Sequence, residues 1–184
     1  MLNEIINNKL KEVNQLRETL DISGININTS QKNHFYKKLF SNQNNKKNSI
    51  IAEIKRRSPS KGVLAENLNV SKTVSEYESG GAACISVLTE KDYFNGSNED
   101  LLEAKNSINL PLLRKDFMLD PIQIYESKML GADCVLLIVS ALSQSTYKQL
   151  FELAYQLDLD VLTEVHDINE LDIALSQNSK LIGI

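Results

Sequence analysis

The sequence predicts an α/β fold of the parallel barrel type, incomplete at about five and a half βα units against the usual eight, with a helical extension in front. Three observations carry that expectation. Short apolar, often β-branched runs centred on Ala52, Ser86, Leu113, Leu136, Val161 and Ile182 alternate with helical patterns, at intervals suited to one strand, one helix and their loops. Consecutive strands joined by helical crossovers run parallel, and a parallel sheet is either covered by helices on both faces or closed into a barrel. The turn after the first strand, Ser58-Pro59-Ser60-Lys61-Gly62, has neither glycine-rich pattern by which a doubly wound sheet holds phosphate, which selects the barrel.

Composition frames this reading. With 184 residues, 42% of them hydrophobic, the chain can bury one good core, and one domain is expected more readily than two. A net charge of -4 gives no nucleic-acid footprint, so any bound anion must be held by a local cationic site. Glu4 and several asparagines occupy the place of a signal peptide's apolar core, and no stretch reaches membrane-spanning length, so a cytoplasmic protein with no membrane partner is expected. Cys84 and Cys134 lie in apolar strand-like runs, which favours inert core thiols over a disulfide or a metal site.

In chain order, Ile5, Ile6, Leu10, Val13, Leu16 and Leu20 recur at spacings of three and four, marking an amphipathic helix that ends before Gly24. A linker follows from residue 25, with Ser30 as an N-cap for a short helix over His34 to Phe40 that offers Phe35, Leu39 and Phe40 for burial. His34 is expected at the surface or boundary, and the run Asn42 to Asn48 is a solvated loop. Residues 1–48 thus form the extension and linker, and 49–184 the partial barrel.

The first strand, Ile50-Ile51-Ala52-Glu53-Ile54, reads as covered on both faces. Ser71 is expected to cap a helix to Ser79, closed by Gly80-Gly81, before a strand over Ala82 to Leu88. After a polar loop, Ser97 caps a helix carrying Leu101, Leu102 and Ala104. A strand over Pro111 to Arg114 follows, and Asp120-Pro121 opens the next helix in the favoured cap-then-proline order, closed by Gly131. Cys134 to Val139 is the fourth strand. A helix from Ser143 through Tyr147, Leu150, Phe151 and Ala154 leads to a fifth, Leu159 to Thr163, then a helix around Ile168 to Ala174 and the run Leu181 to Ile184.

Charge marks the strand ends. Glu53 and Lys55 stand at i and i+2, so in a strand both project from one face, where charge is costly unless paired or open to a cleft. By themselves they fit either a catalytic acid/base pair or a structural ion pair at a sheet edge. Glu90, Lys115 and Glu164 fall at the matching place after later strands, and strand C-termini are where βα barrels assemble their sites. Amines and carboxylates together suit proton transfer. Phe94 and Phe117 can hold an aromatic substrate or serve apolar packing, and His166 is not needed.

The runs Ile51 to Gly62 and Val87-Leu88-Thr89-Glu90 with Tyr93 to Ser97 resemble the first two strand-loop signatures of indole-3-glycerol phosphate synthases. Leu112 to Phe117, Gly131 to Ile138 and Leu162 to Val165 are similar to that family's third, fourth and fifth, in order. The resemblance implies a TIM (β/α)8 enzyme of tryptophan biosynthesis, a decarboxylating lyase without cofactor or metal. It would convert 1-(2-carboxyphenylamino)-1-deoxyribulose 5-phosphate into indole-3-glycerol phosphate. Lys115 would be the general acid, Glu164 the general base, and Lys55 would hold the substrate carboxylate and assist dehydration. Glu53 would orient both lysines, Ser58 and Pro59 would line the carboxylate end, and Phe94, Phe117 and Leu136 would sandwich the anthranilate ring.

The sequence departs from that family where it stops, at Ile184 inside the sixth strand. Barrel phosphate sites are commonly built after strands seven and eight, so the isolated chain is expected to bind substrate phosphate poorly and to associate through exposed barrel edges. Two alternatives belong to other classes: a non-catalytic half-barrel that works only with a complementary chain, and a lysine-using barrel aldolase, which a borohydride-trapped adduct would reveal.

Overall fold

Successive strand and helix follow one another as the sequence patterning demands in a computed structural model that describes residues 2–25, 34–41 and 48–184. The expected cap at Ser30 and nearly all of the Asn42 to Asn48 loop lie outside the described residues. Within them run helices α1 (Leu2–Thr19), α2 (His34–Ser41), α3 (Val70–Ser79), α4 (Asn98–Ser107), α5 (Pro121–Met129), α6 (Gln144–Gln156) and α7 (Ile168–Ser176). The strands are β1 (Ile51–Ile54), β2 (Arg57–Ser58), β3 (Gly62–Val63), β4 (Cys84–Leu88), β5 (Leu112–Lys115), β6 (Cys134–Ile138), β7 (Asp160–Glu164) and β8 (Leu181–Gly183). The architecture is α/β, an incomplete barrel of TIM type behind N-terminal helices.

The chain packs as two compact units, one of Asn33–Asp116 with Leu130–Cys134, the other of Met1–Lys32, Phe117–Met129 and Val135–Ile184. In the first, β1 pairs parallel with β4 and β4 with β5, so strand neighbours follow chain order without the reversal of a doubly wound sheet. In the second, β7 pairs parallel with β8. All five residues of β4 and of β6 are buried, as continuous apolar runs in a parallel sheet require. Cys84 and Cys134 are buried within them.

Several local expectations needed correction. Ile50 is 58% exposed and of β1 only Ile54 is fully buried, because β1 hydrogen-bonds to a single strand neighbour, β4. The loop after β1 folds into a two-residue hairpin, β2 against β3, with Gly62 at φ +69°, a left-handed value that a side chain would strain. Helix α3 is capped by Asn69, whose side chain accepts from the Lys72 amide, and not by Ser71. Ser97 and Ser143 cap α4 and α6 as their sequence positions predict. On α1 the buried stripe is Ile5, Lys9 and Val13, while Leu10 is exposed. Lys9 buries its stem and donates to Glu12 at 2.7 Å. Leu102 faces outward from α4. On α2, Phe35 is fully buried, Leu39 and Phe40 only partly so, and His34 is exposed. Among the described residues, no helix is long and apolar enough to cross a membrane.

Candidate active site

Parallel register builds the first cluster. Glu53 lies opposite Ser86, and Ser86 opposite Leu113, so these three share a layer on one face of the sheet. Lys55 and Lys115 each stand two residues further along their own chain segment, on the same face, and both reach back to the one carboxylate. Lys115 Nζ donates to Glu53 Oε2 at 2.8 Å, and Lys55 Nζ donates to Oε1. Burial works against the Glu53 charge, but the hydrogen bonds and positive charges of Lys115 and Lys55 outweigh it and hold the carboxyl below its ordinary range. All three side chains keep a quarter to a third of their surface open, so the amines are paired yet reachable. The Ser86 hydroxyl beside them is buried with no hydrogen-bond partner among the described residues.

Behind Lys115 lies a polar network on the opposite face. Arg114 Nε donates to Thr89 Oγ1 at 3.1 Å, and Thr89 Oγ1 donates to Asp116 Oδ2 at 2.7 Å. Arg114 also donates to Asn98 at 3.1 Å, and all of Thr89, Arg114 and Asp116 are buried. The two neighbours of Lys115 are thus anchored, which fixes the backbone that carries it. Arg56 makes a forked pair with Asp100 and donates to the Leu68 carbonyl at 2.9 Å, tying the segment after Lys55 to α4.

Glu90 needs a different account from the one its position suggested. It is only 2% exposed, and its carboxylate accepts from the amides of Asp92, Tyr93 and Phe94 at 3.2, 2.8 and 3.0 Å. It is a staple for its own loop, because a tight turn leaves three donors that need an acceptor. That staple, together with Gly96, where an added Cβ would fall 2.2 Å from the Leu88 carbonyl oxygen, fixes the backbone at Phe94. Phe94 itself is half-buried. Ser58 is buried and accepts from the Lys61 amide at 3.2 Å, while Pro59 is exposed.

The remaining candidates belong to the other unit. Gln123 braces Phe117, donating to its carbonyl at 2.9 Å while accepting from Leu119 and Asp120 amides, and leaves the ring half-buried. Leu136 is buried in β6. Glu164 ends β7 with its side chain partly open, and His166 lies against it, Nε2 to Oε1 at 3.4 Å. The sequence reading set His166 aside, although Glu164 and His166 stand at i and i+2 like Glu53 and Lys55, and the same rule would have found them. Thr163, facing the other way, joins a buried hydroxyl chain with Tyr147 and Ser179, each link 2.9 Å. Among the described residues, no group of three or more His, Cys, Asp or Glu side chains is arranged to hold a metal ion.

Two amines thus converge on one carboxylate at the strand ends. Among known families, the model of the family described as indole-3-glycerol phosphate synthase matches residues 2–184 of the chain.

Proposed function

Because the chain belongs to the indole-3-glycerol phosphate synthase family, we propose that it catalyses the decarboxylating ring closure of 1-(2-carboxyphenylamino)-1-deoxyribulose 5-phosphate to indole-3-glycerol phosphate, in the cytoplasm. The observation that carries this reading is the Glu53 carboxylate shared by Lys55 and Lys115. Ring closure needs a proton delivered to the substrate carbonyl oxygen as the aromatic carbon attacks the carbonyl carbon. Lys115 supplies it, and the hydrogen bond to Glu53 aims the amine until substrate arrives.

Closure leaves a cationic ring system that loses carbon dioxide, the electrons of the breaking bond returning to the ring. Lys55, having held the substrate carboxylate, then protonates the departing hydroxyl. Glu164 takes up the proton whose loss completes the double bond. Ser58 and Pro59 line the carboxylate end, and Phe94, Phe117 and Leu136 enclose the anthranilate ring. Residues 1–48 serve as an extension to the catalytic part over 49–184.

The test is to incubate the purified chain with that substrate and follow indole fluorescence. Product forming faster than in the protein-free blank is expected. No product at any enzyme concentration, or a borohydride-trapped adduct on Lys55 or Lys115, overturns the reading.

A further inference from the structure

We infer that His166 carries to solvent the proton that Glu164 takes from the substrate, a role that rests on reading Glu164 as the general base. A base works again only after it has lost its proton. With substrate seated against the carboxylate, the oxygen facing the His166 ring offers the remaining way out, and the two atoms are 3.4 Å apart. The ring is 55% exposed, so it meets water directly.

The ring is also held in place, which distinguishes it from an ordinary surface histidine. Glu170 Oε2 accepts from the His166 backbone amide at 2.8 Å and faces ring Nδ1 at 3.3 Å. Glu170 is itself fixed, since its amide donates to Asp167 Oδ1 at 2.8 Å in the cap of α7. Asp167 is thereby occupied, and the charged groups facing the ring are Glu164 from β7 and Glu170 from α7. A neutral imidazole donates through one nitrogen and accepts through the other. In the tautomer whose Nδ1–H points at Glu170, Nε2 is the acceptor, and it meets the Glu164 oxygen once that oxygen carries the proton taken from substrate.

The transfer balances. Glu164, protonated by substrate, gives that proton to Nε2; the carboxylate is restored and the ring becomes imidazolium. The imidazolium then loses one proton to water or buffer and returns to neutral. An imidazole can accept a proton through one nitrogen and release one through the other, which suits it to both halves.

Two measurements on the full chain test this. Nitrogen-15 spectra of the ring, distinguished from His34 with His34→Asn, need no turnover: Glu164→Gln should move the Nε2 resonance, Glu170→Gln the Nδ1 resonance, and an unmoved Nε2 overturns the proposal. In the fluorescence assay, His166→Gln should lower kcat on the order of tenfold, less than the 10²- to 10⁴-fold of a group that touches substrate. KM should be unchanged, and imidazole in the buffer should restore the rate. Glu164→Gln should lose turnover that imidazole does not restore. If Glu164→Gln is inactive while His166→Gln turns over normally in dilute buffer, the relay is wrong and the base stands. Near-normal turnover by Glu164→Gln removes both.

Discussion

The clusters around Glu53 and Glu164 are built with opposite proportions. At Glu53 two ammonium groups share one carboxylate; at Glu164 two carboxylates flank one imidazole. The first holds protons in surplus, the second acceptors in surplus, which is the division of labour an acid/base reaction needs. Their supports differ in the same sense. Lys115 is backed by a buried charged network, Arg114 and Asp116 through Thr89, whereas Glu164 is backed by the neutral chain Tyr147, Thr163 and Ser179.

The largest effect expected from breaking this contrast is on turnover. Lys115→Ala removes the proposed proton donor and should lower kcat by ~10²- to 10⁴-fold. Circular dichroism should remain that of the parent, since the network behind the lysine is untouched. Near-normal turnover would take Lys115 out of the mechanism.

Next comes the charged support. Asp116→Ala leaves the Arg114 guanidinium in the core without its carboxylate, and such a loss costs about 3 kcal/mol or more. Urea unfolding should show a lower midpoint with the slope unchanged. A shift under about 1 kcal/mol would mean that the hydrogen bonds of Arg114 to Thr89 and Asn98 already satisfy it.

A smaller effect, set by pH, belongs to Glu53. Its carboxyl is held below the ordinary range in the folded chain, so its two ion pairs contribute stability that is complete above the unfolded carboxylate range. That contribution is lost as pH falls through the depressed folded value. Glu53→Gln should therefore be less stable than the parent near neutrality, and the two curves should converge as the pH falls through the depressed range of the folded carboxyl. Curves that stay parallel through that range would show that the amines do not bind the carboxylate in solution.

The strands and helices were legible because their signals are local: Val74 on α3, Ser97 before α4, Tyr147 and Phe151 on α6 all do what period and capping demand. The Glu53 and Lys55 pairing was legible because a strand sends i and i+2 to one face, and Lys115 joined it through strand-end position. Glu90 was not, because a carboxylate that faces a site and one that staples its own loop occupy the same place in sequence. Only the three amide donors of the turn decide between them. The exposure of Ile50 depended on how many strands border β1, which is a property of the sheet. Arg56 was missed for a related reason, since Asp100 lies 44 residues away and no local period links them, whereas the Lys9 and Glu12 pair, at i and i+3 on α1, was legible in principle.

The smallest effect is expected in the neutral support. Tyr147 is buried, and burial raises its hydroxyl above the ordinary phenol range, offset in part by hydrogen bonds with Thr163 and Ser179. Tyr147→Phe deletes the end of the chain, yet Thr163 keeps Ser179, whose hydroxyl also contacts the Leu181 carbonyl at 3.3 Å. With its partners able to turn toward each other, the cost should be about 1 kcal/mol, read as a midpoint shift in urea. Glu164 carries its charge on the other face of β7, so the His166 ring resonances should stay where they are in the parent. A loss near that of Asp116→Ala would mean that hydroxyls support Glu164 as firmly as ions support Lys115, and the contrast between the two clusters would then lie in their protons alone.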